Sequence, residues 1–307
     1  MPNKYVIYTI ITGKYNEVRQ PLCVDDRFDY VLFSNDYKEE HIGVWRVVPI
    51  PQPQDISLND NKRLSRYPKS HPETLLAEYE ASLYIDGNVL IADKWVYDRV
   101  VELANNHTEY AGVQLLVTDR DDIYRHSFDM CVMKAENDLK AIEEMHALYK
   151  EGFPEHFGMN ENNIMYRKHT ERMRQVDELW WQWVVRYSFR DQFSFMYCLW
   201  KYDIQKVYFL PQGEDSRNSS HFRYISHNEN PNVARKKWVK QGLLEKLRNR
   251  SRTLSGFHYR WHCSMWLLAI KTGCPKLCLV VGGLFSSIIN MPLMAITIVY
   301  RKLKKRI

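Results

Sequence analysis

Over its first 230 residues the chain alternates short apolar runs with longer stretches of helical periodicity, and this order restricts the folds open to it. The first run, Tyr5–Thr12, is β-branched and closed by Gly13, which is typical of a buried strand. The predicted strands are Tyr5–Thr12, Tyr30–Ser34, Trp45–Ile50, Ser82–Asp86, Tyr110–Leu116, Asn163–Tyr166 and Lys206–Leu210, and the predicted helices are Leu75–Tyr79, Trp95–Asn105, Asp138–Lys150, Arg172–Tyr187 and Asp191–Trp200. Strands separated by helices of this size predict an α/β fold with a mixed, mostly parallel sheet covered on both faces.

The charge of the chain changes sign near residue 230. Residues 1–230 hold 27 basic and 36 acidic residues, whereas residues 231–307 hold sixteen Lys and Arg and a single acid, Glu245. Such asymmetry indicates two segments with different tasks and an anionic partner for the basic one. We therefore predict a domain over residues 1–230 and a separate C-terminal region over residues 231–307.

The C-terminal region carries two membrane signals. Arg235–Arg252 is basic with leucines at helical spacing, which is typical of a helix that lies on anionic lipid. Leu277–Tyr300 runs 24 residues without a charge, long enough to span a bilayer, and Trp261–Ile270 is a shorter apolar stretch that could form the other arm of a hairpin. We expect attachment to a membrane surface and no binding of nucleic acid, because no base-reading module is present. The first apolar run is too short for a signal peptide, so we expect the domain on the cytoplasmic side.

Several common enzyme classes lose support because their motifs are absent from the sequence. It holds no G-x-G-x-x-G, no P-loop, no H-E-x-x-H and no G-x-S-x-G, and none of its six cysteines forms a C-x-x-C pair. These absences disfavour dinucleotide enzymes, P-loop NTPases, zinc proteases, serine hydrolases and cysteine-bound zinc.

The most informative segment is Asp86-Gly87-Asn88, where an apolar strand stops abruptly. Two side-chain oxygens two residues apart, with Gly between them, suit one hard cation whose shell a diphosphate completes. The alternative is an Asp-Gly hairpin turn, the commonest meaning of that dipeptide.

A basic cluster precedes this strand in an otherwise acidic domain, and it consists of Lys62, Arg63, Arg66 and Lys69. Guanidinium and ammonium groups are suited to nucleotide phosphates. The alternative is a solvated helix face, and spacing does not decide between the two.

A series of motifs then occurs in an order that resembles a known family. The motifs are Tyr8-Thr-Ile-Ile-Thr-Gly13, Phe28-Asp-Tyr-Val-Leu-Phe-Ser34, Asn61-Lys-Arg with Tyr67-Pro68, Leu83-Tyr-Ile-Asp-Gly-Asn88, Gly152-Phe-Pro154, Asn160-Glu-Asn-Asn-Ile-Met-Tyr-Arg167 and Arg190-Asp-Gln-Phe-Ser-Phe195. Over residues 4–230 the chain resembles the hexosyltransferase-like family of plant mucilage-type glycosyltransferases and bacterial polysaccharide-locus proteins. The resemblance implies one GT-A-like domain in which Mn²⁺ or Mg²⁺ bridges the diphosphate of a nucleotide-diphospho-sugar. The motif here is Asp86-Gly87-Asn88 rather than Asp-x-Asp, which weakens the charge of the metal site.

The resemblance also selects further candidate residues. A GT-A metal site often receives a late histidine, and the candidates are His221 and His227. Asp191 and Gln192 would face the sugar, although Asp191 at a helix start could instead cap backbone N–H groups.

Glu161 would bind the acceptor hydroxyl or act as its base, with Asn162 and Asn163 binding the donor, unless this segment is only a polar loop. The three tryptophans Trp180, Trp181 and Trp183 are expected in the core.

The sequence thus predicts a membrane-attached, metal-dependent glycosyltransferase that moves a hexose-type sugar to a glycan or lipid-linked acceptor in surface polysaccharide synthesis. The main alternative is a catalytically silent protein that binds glycans or nucleotide sugars, which the Asn at position 88 motivates. A metal-dependent phosphoester or lipid hydrolase is a more distant alternative.

Overall fold

The first strand lies at the centre of an eight-stranded sheet, and the sheet organises the rest of the chain. The computed structural model describes residues 3–14, 17–116, 121–132, 138–225 and 254–274. The chain divides into two units, one of residues 1–123 and 153–230 and the other of residues 124–152 and 231–307. One division falls at the boundary expected near 230, whereas residues 124–152, which the sequence analysis assigned to the first domain, group with the C-terminal region.

The sheet of the first unit has the order β3-β4-β2-β1-β5-β8-β7-β9. Its strands are β1 (Tyr5–Ile10), β2 (Phe28–Phe33), β3 (His41–Ile42), β4 (Trp45–Val48), β5 (Ala81–Ile85), β7 (Tyr110–Gln114), β8 (Asn160–Lys168) and β9 (Val207–Tyr208). β1 pairs in parallel with β2 and β5, and β2 with β4, whereas β8 is antiparallel to both β5 and β7. The predicted mixed, mostly parallel α/β sheet is confirmed.

Both faces of this sheet are covered, which explains why β1 and β5 are apolar without alternation. On one face α3 (Trp95–Asn105) packs Val96 and Val100 against a core that includes Ile7 and Leu83. The other face carries α6 (Glu171–Arg186) and α7 (Asp191–Lys201). The two helices pack together through Trp180 and Phe195, whose ring centroids are 4.4 Å apart. Trp180, Trp181 and Trp183 are all buried, as predicted for core residues.

A tight turn joins the main sheet to a second sheet of two strands. The N–H of Val89 donates to the carbonyl of Asp86, and the chain continues as β6 (Val89–Ile91). β6 pairs antiparallel with β10 (Phe222–Tyr224), whereas β5 pairs with β1 and β8. The alternative of an Asp-Gly hairpin is therefore wrong, because the strands on either side of the turn are not partners.

The segment between β4 and β5 differs from its predicted form. It consists of α1 (Asn61–Leu64), the 3-10 turn Pro68–Ser70 and α2 (Pro72–Leu75). The helix predicted over Leu75–Tyr79 is wrong, because the helix begins at Pro72 and the chain must already extend at Glu80, whose N–H donates to the Lys4 carbonyl beside β1.

The second unit contains three described helices, α4 (Ile123–Val132, whose first residue belongs to the first unit), α5 (Asp138–Lys150) and α8 (Leu254–Thr272). Trp266 Nε1 donates to Ser127 Oγ at 3.0 Å, and His146 Nδ1 lies 2.5 Å from the Ile270 carbonyl oxygen. The apolar stretch Trp261–Ile270 therefore lies in a helix that contacts both others in its unit.

Within the described part of the chain, every helix is too short or too polar to cross a bilayer. The predicted basic helix Arg235–Arg252 and the uncharged run Leu277–Tyr300 lie outside the described residues.

A buried ion pair ties β8 to α6 under the centre of the sheet. Arg167 Nη1 donates to Asp177 Oδ2 at 2.9 Å, its Nη2 donates to the Tyr8 hydroxyl, and the Arg167 and Asp177 side chains are 0% and 1% exposed. Burial raises the pKa of Asp177 well above its ordinary value although the Arg167 charge opposes this. The pair therefore depends on both partners being present.

Replacement of Asp177 tests this dependence. Asp177→Ala leaves the Arg167 charge buried, and we expect the free energy of unfolding to fall by about 3–5 kcal/mol. The matched control is Glu171→Ala, which removes an exposed ion pair with Arg174 and should change stability little. Urea unfolding monitored by circular dichroism measures both, and equal effects of the two substitutions would contradict a stabilising role for the buried pair.

Candidate active site at the end of β5

Asp86 follows β5 and lies at the edge of the main sheet. Its N–H donates to the Asn163 carbonyl at 2.8 Å, which continues the pairing of β5 with β8 by one residue. The Tyr84 hydroxyl donates to Asp86 Oδ1 at 2.6 Å, and the carboxylate side chain is 39% exposed. The backbone and Tyr84 thus fix a carboxylate that still faces solvent.

Asp191, the first residue of α7, and Asp86 are both neighbours of one cation, Lys69. Lys69 Nζ donates to Asp191 Oδ2 at 2.5 Å and lies 4.0 Å from Asp86 Oδ1. Arg66 Nε lies 3.8 Å from the same Asp191 oxygen. The structure therefore brings together residues that are more than a hundred positions apart in the sequence.

The charges around Asp191 control its ionisation. Burial favours the neutral acid, but the Lys69 and Arg66 charges outweigh it and hold the pKa of Asp191 below its ordinary value. Burial likewise opposes the charge on Arg66, but Asp191, Tyr84 and Asp86 together outweigh it, so that the pKa of Arg66 is raised. Asp191 is consequently a carboxylate at neutral pH.

The helix-cap alternative for Asp191 is wrong. Arg190 is the N-cap of α7, and no side chain caps the helix start with a hydrogen bond at that position. The Asp191 backbone carbonyl instead accepts a hydrogen bond from Trp180 Nε1, and its carboxylate turns to Lys69. The Asp191 carboxylate therefore pairs with Lys69 and does not cap α7.

Arg63 and Lys62 lie in α1, and their contacts differ from those of a phosphate clamp. Arg63 Nε and Nη2 donate to the carbonyls of Val184 and Tyr187, at the C-terminal end of α6, and Nη1 donates to Asp60, the N-cap of α1. Arg63 thus fastens α1 to α6, because arginine satisfies carbonyls that a helix end leaves open. Lys62 is exposed, and its Nζ lies 4.5 Å from the centre of the Phe189 ring.

A shallow cleft lies beside Asp86 at the ends of β1 and β5. Its walls include Ile11, Val18 and Trp45, and Arg19 contributes a cation. Thr9 is 4% exposed, and its Oγ1 forms no hydrogen bond within the described ranges. A buried hydroxyl without a partner in the wall of a cleft is suited to a hydrogen-bonding ligand.

Glu161, the second residue of β8, belongs to a second polar group. Its carboxylate accepts hydrogen bonds from Arg217 Nη1, from Asn163 Nδ2 at 3.0 Å and from Ser216 Oγ at 3.4 Å. Burial raises the pKa of Glu161, and the Arg217 charge limits the rise. The backbone bond between Asp86 and Asn163 connects this group to the first one.

A bulge in β8 explains how consecutive polar residues reach different surroundings. Gly112 pairs with Met165 but Val113 pairs with Glu161, so that residues 162–164 bulge out of the ladder. Bulges of this kind redirect side chains beside functional sites. Asn162 Nδ2 and Asn163 Oδ1 are buried and have no hydrogen-bond partner among the residues that the structure describes, whereas Gln192 Nε2 donates to the Asn160 carbonyl at 3.3 Å.

Asn88 and His221 have contacts other than those expected for two ligands of one metal. Asn88 is 3% exposed, and its Nδ2 donates to the Ile225 carbonyl, which secures the start of β6 to β10. His221 Nδ1 lies 2.9 Å from Asp93 Oδ2, and its ring stacks on Trp95 at 4.0 Å. The strand register places His221 beside Ala92, about 13 Å along β6 from Asn88. In the structure, His221 pairs with Asp93 and Trp95, and His227 lies outside the described residues.

Another group of possible metal ligands lies in the first unit at Asp122, Glu155 and His156. One ligand atom from each residue lies within 4.8 Å of the other two, and Asp122 is buried while the other two are exposed. The spacing of these atoms suits one divalent ion. No sequence signal identified this group, because 33 positions separate Asp122 from the adjacent pair Glu155 and His156.

Comparison with known protein families identifies the family of the chain. A sequence profile described as "TOD1/MUCI70, glycosyltransferase-like domain" matches residues 12–220. The chain belongs to this family. The suspected relationship to plant mucilage-type glycosyltransferases is confirmed, and glycosyl transfer is the general reaction class.

Several solved structures of glycosyltransferases are similar to this TOD1/MUCI70 chain. A mutant of LgtC matches at 12% identity and TM-score 0.38, covering 62% of this chain and 69% of the other. The bifunctional glycosyltransferase WbbM matches at 11% identity and TM-score 0.40, covering 79% of this chain and 45% of the other. The mannosyltransferase Ktr4p from S. cerevisiae matches at 11% identity and TM-score 0.30, covering 64% of this chain and 62% of the other. No curated protein sequence matches the chain.

The contacts of Arg63 generate a prediction for this TOD1/MUCI70 domain. Arg63→Ala should lower the free energy of unfolding by about 1–3 kcal/mol, because two buried carbonyls and the Asp60 carboxylate lose a charged donor. Lys62→Ala, one residue earlier on an exposed position, should have a clearly smaller effect. Denaturant unfolding of both variants decides, and the reverse order would show that Arg63 does not anchor α1.

Proposed function

We propose that the protein is a metal-dependent hexosyltransferase that takes its sugar from a nucleotide-diphospho-sugar. The observation that carries the proposal is the meeting of Asp86 and Asp191 around Lys69 and Arg66, beside the cleft at the end of β5. Departure of a nucleoside diphosphate places negative charge on the β-phosphate, and cations held in a fixed position stabilise that charge.

The cleft supports the proposed donor site. Its apolar walls suit the flat face of a nucleobase. The Thr9 hydroxyl is available to form a hydrogen bond with a polar atom of the base. Arg66, whose side chain is 30% exposed, and Arg19 are the cations that can reach a diphosphate. Lys62 retains its proposed place at the donor as an exposed cation.

Asp86 fits a metal ion, whereas Asn88 fits less well. The Asp86 carboxylate is half-exposed at the cleft, which leaves it accessible to Mn²⁺ or Mg²⁺ held jointly with diphosphate oxygens. Asn88 is 3% exposed and carries no charge, and because its Nδ2 donates to the Ile225 carbonyl, its Oδ1 is the only atom that could bind a metal. The metal would act as a Lewis acid on the leaving diphosphate.

The reacting sugar is assigned to Asp191, Gln192 and the two buried asparagines. Asn162 Nδ2 and Asn163 Oδ1 supply one donor and one acceptor suited to sugar hydroxyls. Glu161 is our candidate on the acceptor side, because burial brings its pKa upward as general base catalysis requires. The acceptor must then share Glu161 with Arg217 or displace it.

The alternative of a silent binding protein has one observation in its favour. Because the Asn88 amide secures β6, the Asp86-Gly87-Asn88 motif offers the cleft a single carboxylate. Such a protein would bind the nucleotide sugar and release no nucleoside diphosphate.

A panel of nucleotide sugars tests the proposal directly. Nucleoside diphosphate release by the full-length protein is measured with Mn²⁺, with Mg²⁺ and with EDTA, in the presence of glycan and lipid-linked acceptors. We expect metal-dependent release with at least one donor. Binding without release throughout the panel would favour the silent protein, and release of product with water alone as co-substrate would indicate a hydrolase.

Two substitutions distinguish the two possible metal sites. Asp86→Ala should lower turnover about a hundredfold or more, because the metal that would stabilise the leaving diphosphate loses its carboxylate ligand. Asp122→Ala, in the other group of ligands, should retain turnover and its activation by Mn²⁺. The opposite pattern would move the catalytic metal to Asp122, Glu155 and His156.

The C-terminal region is proposed to hold the enzyme at the cytoplasmic face of a membrane, near a lipid-linked acceptor. The basic residues of this region should contribute about 1 kcal/mol each near anionic lipid. Full-length protein should sediment with anionic vesicles, less so at high salt, and less again when the basic residues of 301–306 are changed to Gln. Protein that stays in the supernatant with every vesicle would contradict membrane attachment.

A further inference from the structure

Lys69 is buried in a manner unlike the other basic residues of its segment. The residue is 3% exposed, whereas Lys62 is exposed and the Arg66 side chain is 30% exposed. Lysine is almost never fully buried unless it is paired.

Three contacts fix the position of the Lys69 ammonium. It donates to Asp191 Oδ2 at 2.5 Å, lies 4.0 Å from Asp86 Oδ1, and lies 4.6 Å from the centre of the Tyr84 ring. Tyr84 in turn donates its hydroxyl to Asp86 Oδ1. The ammonium therefore connects Asp86, which follows β5, to Asp191, the first residue of α7.

The position of the charge matters because two carboxylates close together repel each other. Without Lys69, Asp191 would lose the hydrogen bond that orients its carboxylate beside Asp86. Arg66 is a weaker substitute for this cation, since its Nε is 3.8 Å from Asp191 and the side chain is partly solvated. Lys69 is the closer charge to Asp191 and the one shared with Asp86.

We propose that Lys69 is a positioning residue for sugar transfer, which holds Asp191 in one orientation relative to Asp86. The inference rests on the proposed function, since it assigns Asp191 to the reacting sugar. Lys69 engages Oδ2 of Asp191, and no hydrogen bond to Oδ1 is formed by the described residues. Oδ1 is then the oxygen that accepts a hydroxyl of the donor sugar, and Lys69 determines where it lies.

Substitution of Lys69 tests this role through the separation of kcat and KM. Lys69→Met should lower kcat about a hundredfold, the effect of misplacing a reacting group by about an ångström, with little change in KM for the donor. Lys69→Arg, which keeps a cation and a donor, should recover part of the loss. A residue that binds phosphate would instead raise KM.

A double-mutant cycle distinguishes positioning from general stabilisation. If Lys69 acts through Asp191, Lys69→Met combined with Asp191→Asn should be no slower than Asp191→Asn alone. Multiplied losses of kcat in the double variant would overturn the proposal. The matched control is Lys4→Met, which removes an exposed lysine paired with Glu80 at 2.8 Å and should leave kcat unchanged.

Two further results keep the test decisive. If Lys69→Met does not fold, as judged by thermal melting, Lys69→Gln in the same cycle keeps a hydrogen-bond donor without the charge. Full kcat in a folded Lys69→Gln variant would overturn the need for a cation. Absence of transfer by the unaltered protein would overturn the proposed function, whereas additive losses in an active enzyme overturn only the role of Lys69.

Discussion

The ion pair between Lys69 and Asp191 is the interaction on which the candidate site depends. It joins the segment between β4 and β5 to the start of α7, and that segment consists of helical pieces of three or four residues. Helices this short do not hold together without tertiary contacts. Arg63 secures the first piece to the end of α6 and Lys69 secures the next to α7, so the neighbouring Arg66 is held near Asp86 and Asp191. A small number of charged contacts therefore positions the proposed donor-binding cations.

The polar residues at the ends of β5 and β8 form two separate groups. The bulge in β8 places Glu161 and Asn163 with Ser216 and Arg217, while the Asp86 backbone stays paired with Asn163. One polar group therefore carries the carboxylates shared with Lys69, and the other carries a carboxylate whose pKa burial raises. In the proposed reaction this division corresponds to the donor and acceptor sides, because leaving-group stabilisation and acceptor activation need opposite electrostatics.

Long periodic elements were predictable from the sequence, whereas their connections and partners were not. The bounds predicted for Trp95–Asn105 and Asp138–Lys150 are those of α3 and α5, because hydrophobic periodicity over many residues has one interpretation. Leu75–Tyr79 is not a helix because pairing beside β1 takes over at Glu80, a tertiary effect. Asp86 was predicted as a site residue from the Asp-Gly-Asn pattern at the end of a strand, and Asp191 from the family resemblance. The location of Lys69 between them was not predicted, since burial of one residue in a cluster of four basic residues leaves no mark on the local sequence. Arg217 lies in a polar loop without a distinguishing pattern, and nothing local indicates that it binds Glu161.

The central claim is that Asp86 and a divalent ion together bind the diphosphate of the donor beside Asp191. Isothermal titration of a nucleoside diphosphate into the full-length protein measures this most directly, with and without Mn²⁺, for the unaltered chain and for Asp86→Ala. The account predicts binding that strengthens at least tenfold with Mn²⁺ in the unaltered chain, about 1.4 kcal/mol, and that does not respond to Mn²⁺ in the variant. Equal affinity with and without the metal, or a metal response that survives loss of Asp86, would contradict it.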